Sequence, residues 1–444
     1  MTNRIAHLTA AAALGVACLC SVARASAESD DTTFTTLYAF EAPAPITFTS
    51  FLGSQPDTTP ALGPDGAIYG MTMVGGQFGN GVIYRFDRNK HQYTILHAFS
   101  ATDANGTNQD GAVPGNALTA GPGGVFYGTA QFGGMNGTGT IFKITKSGDF
   151  TVLHTFSALD ANGHNEDGAS PLRNVVVGKD GNLYGTNRWG GQNTCTFTSN
   201  GCGVAWVTDQ WGHHFKVLHQ FTTAEGHGAS LIQGSDGFLY GCTVWPANPG
   251  LPSGILYRMT RGGYFQVLYT FSETNASGQN MDGADSYEPL VETRRGVFYG
   301  AAFYGGTNGN GVVFRYSLKN PGVLEVVHDF SALNSAGQNW DGAAPDGPLS
   351  VGPGGILYSN ANAGGENGNG VIYSLQENGH FEVLHNFSAT DPITGANYDG
   401  ALPDDGLALD GNKLIGIAVY GGNGSAAGYY NSGGTLYELK LHTR

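Results

Sequence analysis

The amino-acid sequence predicts an all-β protein, a seven-bladed β-propeller with four strands to each blade. Three observations carry this. A module of about 57 residues is repeated seven times, a period that signals a stacked array or a propeller. Each module holds four short strand-like segments. The chain opens on a fourth-strand segment and stops after a third, so the N-terminal strand is expected to close the ring by pairing with the C-terminal blade.

Three anchors define the module. A Tyr-Gly pair recurs at Tyr69-Gly70, Tyr127-Gly128, Tyr184-Gly185, Tyr240-Gly241 and Tyr299-Gly300, and in altered form at Tyr358-Ser359 and Ile415-Gly416. An apolar strand follows each, such as Gly81-Val82-Ile83-Tyr84 or Gly139-Thr140-Ile141-Phe142. A Leu-x-x-Phe segment then ends at Phe40, Phe99, Phe156, Phe221, Phe271, Phe330 and Phe387. The spacings between these Phe residues are 59, 57, 65, 50, 59 and 57, so length changes are confined to loops. The segments alternate apolar and polar residues, favour Val, Ile, Tyr, Phe and Thr, and are broken by Gly, Asn, Asp and Pro, which is strand and not helix patterning. In the second module the strands are read as Ala117 to Ala120, Val125 to Thr129, Thr140 to Thr145 and Thr151 to Phe156. Four strands at this period make one propeller blade. At the ends, Phe34 to Phe40 has no preceding three strands, and the segment ending at Leu441 has no fourth. Pairing them removes an exposed sheet edge.

Composition narrows the function. Arg4, the apolar run Leu8 to Val22 and Ala25-Ser26-Ala27 read as a secretory leader over residues 1–27. Gly15-Val16-Ala17-Cys18 lacks the leucine of a lipoprotein site. Residues 28–444 are then one exported domain, since a closed ring grows by repetition. No later stretch reaches 18 apolar residues, so no membrane span is expected. The formal charge of −15 becomes −17 without Arg4 and Arg24. That balance argues against nucleic acid and anionic membranes as partners. A monomer is expected. Cys195 and Cys202 bracket a short loop and suit a disulfide in an oxidising compartment, while Cys242 reads as buried and inert.

The run Gly-x-x-Tyr-Gly-Thr, Gly-Gly, Gly-Thr-Ile-Phe-Lys-Ile, Val-Leu-His-Thr-Phe, Asp-Gly-Ala-x-Pro, complete from Gly124 to Pro171, resembles the GloVer tandem repeat of bacterial exported proteins. The resemblance covers residues 34 to 441. It implies an extracellular or envelope-associated repeat protein, often with a C-terminal surface anchor, a pattern not seen in Leu439 to Arg444. It supplies no catalytic residues, so function has to be argued from a site.

With the first strand lining the channel, the loops between second and third strands and those between blades share one face, here called upper. Long loops on a rigid scaffold are where binding concentrates. Four upper loops read Asp/Asn-x-x-Gly-x-Asn-x-Asp-Gly, at Asp103 to Gly111, Asp160 to Gly168, Asn275 to Gly283 and Asn334 to Gly342, with a looser version from Asp391 to Gly400. Such oxygens could coordinate Ca²⁺. They could equally fold the loop by accepting backbone N–H bonds, which repetition around the ring favours. The recurring His97, His154, His219, His328 and His385 are read as structural.

A unique site should lie where the repeat breaks, in the third to fifth modules. Before the Gly-Gly pair stand Arg188-Trp189, Val244-Trp245 and Phe303-Tyr304. His227 replaces the usual Asp, and Tyr287 and Glu288 interrupt Asp-Gly-Ala-x-Pro. Arg188, Trp189, His227, Trp245, Tyr287, Glu288 and Tyr304 are therefore expected to face one another. Aromatic faces stack on sugars and Arg pairs with carboxylates, which suits recognition of a polysaccharide or cell-envelope glycan, with Trp189, Trp245, Tyr287 and Glu288 as ligand-binding groups. The same set could catalyse β-elimination of a uronate, Arg188 neutralising the carboxylate and Tyr304 or His227 acting as base. A glycoside hydrolase and a non-catalytic structural surface protein are the remaining readings. No metal ligand set, nucleophile elbow or nucleotide-binding motif is present.

Overall fold

The computed structural model describes residues 32–44, 47–115, 117–171, 173–196, 200–244, 253–423 and 432–442. The leader read from residues 1–27, and Trp245, lie outside the described residues. Seven antiparallel sheets follow one another along the chain as the seven blades of a β-propeller. Their regular structure is strand, with two three-residue 3₁₀ turns at Pro122–Gly124 and Pro353–Gly355. Among the described residues no helix is long and apolar enough to cross a membrane.

The second blade shows the plan. Its innermost strand is split into Ala112–Pro114 and Thr119–Ala120, followed outward by Val125–Phe132, Thr140–Thr145 and Phe150–Thr155. In the seventh blade Ala401–Asp410, Lys413–Tyr420 and Thr435–Leu441 are joined on the outside by the N-terminal strand Thr32–Ala39. That pair runs antiparallel from Thr32 opposite Leu441 to Ala39 opposite Thr435.

The anchors are packing devices. Each Tyr-Gly glycine lies directly opposite a third-strand aromatic: Gly70 faces Tyr84, Gly128 Phe142, Gly185 Trp206, Gly241 Tyr257, Gly300 Phe314 and Gly416 Tyr437. A Cβ on these glycines would collide with that ring, so the ring takes the space a side chain would fill. The Leu-x-x-Phe rings are at most 1% exposed and meet the next blade's third-strand aromatic edge-on, as Phe99 does Phe142 at 5.8 Å.

The recurring histidines tie one blade to the next. His97 stacks on Phe150 at 3.8 Å, His154 on Phe215 at 3.9 Å, His219 on Phe265 at 3.9 Å, His328 on Phe381 at 3.8 Å and His385 on Phe34 at 4.1 Å. Between the seventh and first blades Tyr38 takes the histidine's place, stacked on Tyr93 at 4.4 Å. On its far side each histidine meets a loop carboxylate, as in His97–Asp110 at 2.9 Å and His328–Asp341 at 3.1 Å.

The Asp/Asn loops are closed upon themselves. Asp103 Oδ1 accepts the Asn105 and Thr107 backbone N–H groups, and Asn108 Oδ1 accepts those of Gly111 and Gly134. Asp110 accepts the Ser100 N–H and hydroxyl as well as His97. These oxygens thus act as turn and loop acceptors, the structural alternative of the sequence reading.

Candidate functional site

The unusual chemistry sits where the innermost strands converge. In six blades the chain enters this region through a residue with positive φ: Gln55 (54°), Val113 (53°), Ser170 (56°), Asp285 (56°), Ala344 (55°) and Leu402 (51°). All occupy the middle of the Ala-x-Pro segment or its equivalent. Side chains other than glycine rarely adopt this conformation, and its recurrence marks a shared kink that delivers the next residues inward. Those residues are Asp57, Arg173, Tyr287, Glu288, Asp346, Asp404 and Asp405, with an Asp directly after Pro in three of the blades.

Residues far apart in sequence meet there. Arg173 Nη1 donates to Glu288 Oε1 at 2.6 Å, across 115 residues. Its guanidinium also lies 4.3 Å above the Tyr287 ring, and Tyr287 Oη donates to Asp346 Oδ1 at 2.5 Å. Asp404 hydrogen-bonds to both Asp57 and Asp346, contacts that buried carboxyls make by sharing protons. Burial, then the Asp404 carboxylate, push Asp57 up to about 8. Burial pushes Glu288 up to about 7 against the pull of Arg173. Burial also holds Asp346 and Asp405 well above the usual carboxylate range and raises Asp404. Arg173 faces the opposite balance: burial disfavours its charge, and Glu288, Tyr287, Asp405 and Asp346 together outweigh burial and keep it protonated.

Above this cluster lies a mouth built from the upper ends of the second strands. Phe132, Trp189, Tyr304 and Tyr420 hold equivalent positions, each paired with the alanine of Asp-Gly-Ala: Ala112, Ala169, Ala284 and Ala401. Tyr304 is 46% and Phe132 38% exposed. Phe132 and Trp189 approach to 6.3 Å, and the exposed Arg188 reaches over the Trp189 ring at 5.8 Å. Burial, and then the nearby Arg173 charge, lower the Arg188 pKa, with Asp285 opposing them. Phe303 bridges the mouth to the interior, 4.5 Å from Tyr304 and 5.7 Å from Tyr287.

His227 is not placed as the open base the sequence reading offered. It is 2% exposed, and its Nδ1 lies 3.0 Å from the Arg188 carbonyl oxygen. A second backbone contact, at Cys202, holds the same ring, while burial and the Arg188 charge keep it neutral. It braces the backbone of Arg188. Cys202 is joined to Cys195 in a disulfide, so the crosslink supports that brace. Cys242 is buried, and burial pushes its thiol up to about 12.

The contacts fall into two groups, Arg188, Trp189 and His227 in one and Tyr287, Glu288 and Tyr304 in the other, and Trp245 lies outside the described residues. Arg173, Asp285, Asp57, Asp346, Asp404 and Asp405 were not singled out from sequence. One signal could have found most of them. The two positions after Ala-x-Pro or its equivalent carry Asp, Arg, Tyr or Glu in five modules whose flanking residues repeat.

Residues 25–196 and 253–444 match the Gloeobacter/Verrucomicrobia repeat. The chain belongs to this repeat family. The unmatched stretch, 197–252, holds the irregular third-to-fourth module junction and His227. No curated protein matches the sequence. Among solved structures, this member of the repeat family is similar to an oligogalacturonate lyase described in complex with manganese. The TM-score is 0.53 at 12% identity, covering 93% of this chain and 96% of the other. A puromycin-hydrolysing peptidase from Mycobacterium tuberculosis gives 0.50 at 10% identity, covering 86% of this chain and 53% of the peptidase. The extracellular domain of a putative one-component system from B. thetaiotaomicron gives 0.50 at 11% identity, covering 90% and 40%. At such identities the likeness is one of fold.

Proposed function

We propose that the mouth of the axial funnel binds a saccharide bearing a carboxylate, and that residues 28–444 do so as one exported, monomeric, non-catalytic domain. The observation that carries this is the exposed Arg188 guanidinium, left without an ion pair among the described residues and set over the ring of Trp189, which the exposed Phe132 adjoins. A planar donor fork beside exposed rings suits a sugar acid: the fork takes the carboxylate and a ring takes the apolar face. The Cys195–Cys202 disulfide fits an oxidising compartment, as export requires.

Binding is favoured over β-elimination because neither His227 nor Tyr304 is poised as a base. His227 is buried and engaged with backbone carbonyls. The Tyr304 phenol is raised by burial and by Asp285 and Asp346, which works against its ionising to accept a proton.

The test is calorimetric titration with oligogalacturonate and with a neutral oligosaccharide of equal length, alongside ultraviolet absorbance for unsaturated product. The substrate in the lyase neighbour's name is why oligogalacturonate heads the panel. The acidic sugar should bind preferentially, Arg188→Ala should weaken it by about tenfold or more, and absorbance should stay flat. Rising absorbance would make the protein a lyase, with Arg188 and Tyr304 the first residues to replace. No binding of either sugar would leave the structural surface role.

A further inference from the structure

A cleft at the seam between the last and first blades carries an inference independent of the mouth. At three other seams the turn after a third strand sets a glycine on the fourth strand of the preceding blade. A Cβ on Gly148, Gly212 or Gly263 would lie 3.1, 2.0 or 2.5 Å from the carbonyl oxygen of Leu96, Leu153 or Leu218, which leaves little or no room for a side chain. Each of these leucines stands three residues before the buried phenylalanine that follows its strand, and Leu37 holds the same place before Phe40. The first blade brings no glycine to Leu37. Its turn carries His91, two residues before Tyr93 as Gly148 is before Phe150 and Gly263 before Phe265. His91 is held at φ 48°, a conformation that side chains other than glycine rarely adopt. With a side chain in that place the turn stands off the closing strand, and a cleft of about 570 Å³ is left with Leu37 in its wall.

That volume falls within the roughly 300–1,000 Å³ of small-molecule sites. Apart from Leu37 and Gly66 the wall is polar, which suits no apolar ligand. Its Arg, Lys, Asp and Glu pair off. Arg88 Nη2 meets Asp410 Oδ2 at 2.6 Å, and Lys413 Nζ meets Glu438 Oε1 at 2.8 Å. Arg88 Nε also donates to the Gly66 carbonyl at 3.1 Å, so the guanidinium is fixed before any ligand arrives. Two cations are matched by two anions. An anionic ligand would meet Asp410 and Glu438, and a cationic one Arg88 and Lys413. A hydroxyl both donates and accepts, and can use both halves of each pair. We propose that this cleft binds a short neutral saccharide. It lies on the opposite face of the ring from the mouth, because turns that follow first and third strands line it, whereas the mouth is built from the upper ends of second strands.

The test is calorimetric titration of Arg188→Ala protein, whose mouth lacks its cation, with glucose, galactose, maltose and lactose, and with glucosamine and galacturonate as charged counterparts. A neutral sugar should bind at one site per chain, and its charged counterpart about tenfold or more weakly. Thr35 is an exposed residue of the closing strand in the cleft wall. Thr35→Trp should fill the cleft and abolish that binding, with unfolding temperature and oligogalacturonate binding unchanged in protein that keeps Arg188. His91→Gly removes the strained residue and lets the turn settle on Leu37, so it should weaken neutral-sugar binding while raising the unfolding temperature. No heat with any neutral sugar would overturn the proposal. So would neutral-sugar binding that survives Thr35→Trp, or tighter binding of a charged counterpart. None of these results bears on the mouth, which is read from oligogalacturonate binding to the unmodified protein.

Discussion

Buried carboxylates occur in two regions of this protein and behave in opposite ways. At the seams between blades, Asp110 and Asp167 each accept a histidine Nε2, a serine N–H and the same serine's hydroxyl. Burial pushes these carboxyls upward, and the hydrogen bonds outweigh it and hold them below the usual range. On the axis, Asp57, Asp346, Asp404 and Asp405 face other carboxylates, with Arg173 as the cation among them, and all are raised. Burial is common to both regions. What differs is the number of donors per carboxylate, and that number sets the sign of the shift.

The largest effect expected from breaking this contrast is at the axis. Arg173→Leu leaves Glu288 buried without its partner and should cost about 4 kcal/mol near neutral pH in urea unfolding. The sign of the pH dependence follows from the raised acids. Groups whose folded pKa lies above the unfolded value stabilise at low pH and lose that contribution as pH rises through the folded value. With Glu288 at about 7 and Asp57 at about 8, the protein should lose stability between about pH 5 and about pH 8. A flat or rising curve there would refute the axial picture.

The seam should respond next. Asp341→Ala strips acceptors from the Ser331 N–H, the Ser331 hydroxyl and His328 Nε2, and should cost about 3 kcal/mol by thermal or denaturant unfolding. Here the pH sign reverses. Asp110 and Asp167, held below the ordinary 3.8, contribute stability that is complete above that value and is lost as pH falls through the folded one. Acid unfolding should therefore begin at the seams, visible as early loss of hydrogen-exchange protection in the Ser100 and Ser157 amides. The smallest effect sharpens the comparison by removing burial altogether. The Arg294–Glu377 pair is 58% and 40% exposed at its side chains, and Glu377→Ala should shift stability by less than about 0.5 kcal/mol.

Much of the fold was legible because it is written locally and repeatedly. The four strands of the second module and the self-closed Asp/Asn loops depend on neighbours within one module or the next. The candidate site was legible in part. Arg188, Tyr287, Glu288 and Tyr304 stood out because they replace a repeated residue. His227 stood out for the same reason, yet its burial beneath Arg188 was hidden, since that depends on the Arg188 and Cys202 carbonyls of the preceding blade. Arg173 and the four aspartates passed unnoticed because each is an ordinary residue until its partners are known, and the partner of Arg173 lies 115 positions away.

By itself, then, the sequence determined the seven modules, the pairing of strands within a blade and the contacts between consecutive blades. Those interactions recur with a fixed period and can be read from any one copy. The tertiary structure alone decided what the axis contains. Only when the blades are set around a common centre do residues from the first, third, fifth, sixth and seventh come into contact. The electrostatics of such a place is a property of the whole set at once: one guanidinium against five carboxylates, a balance that no single module records.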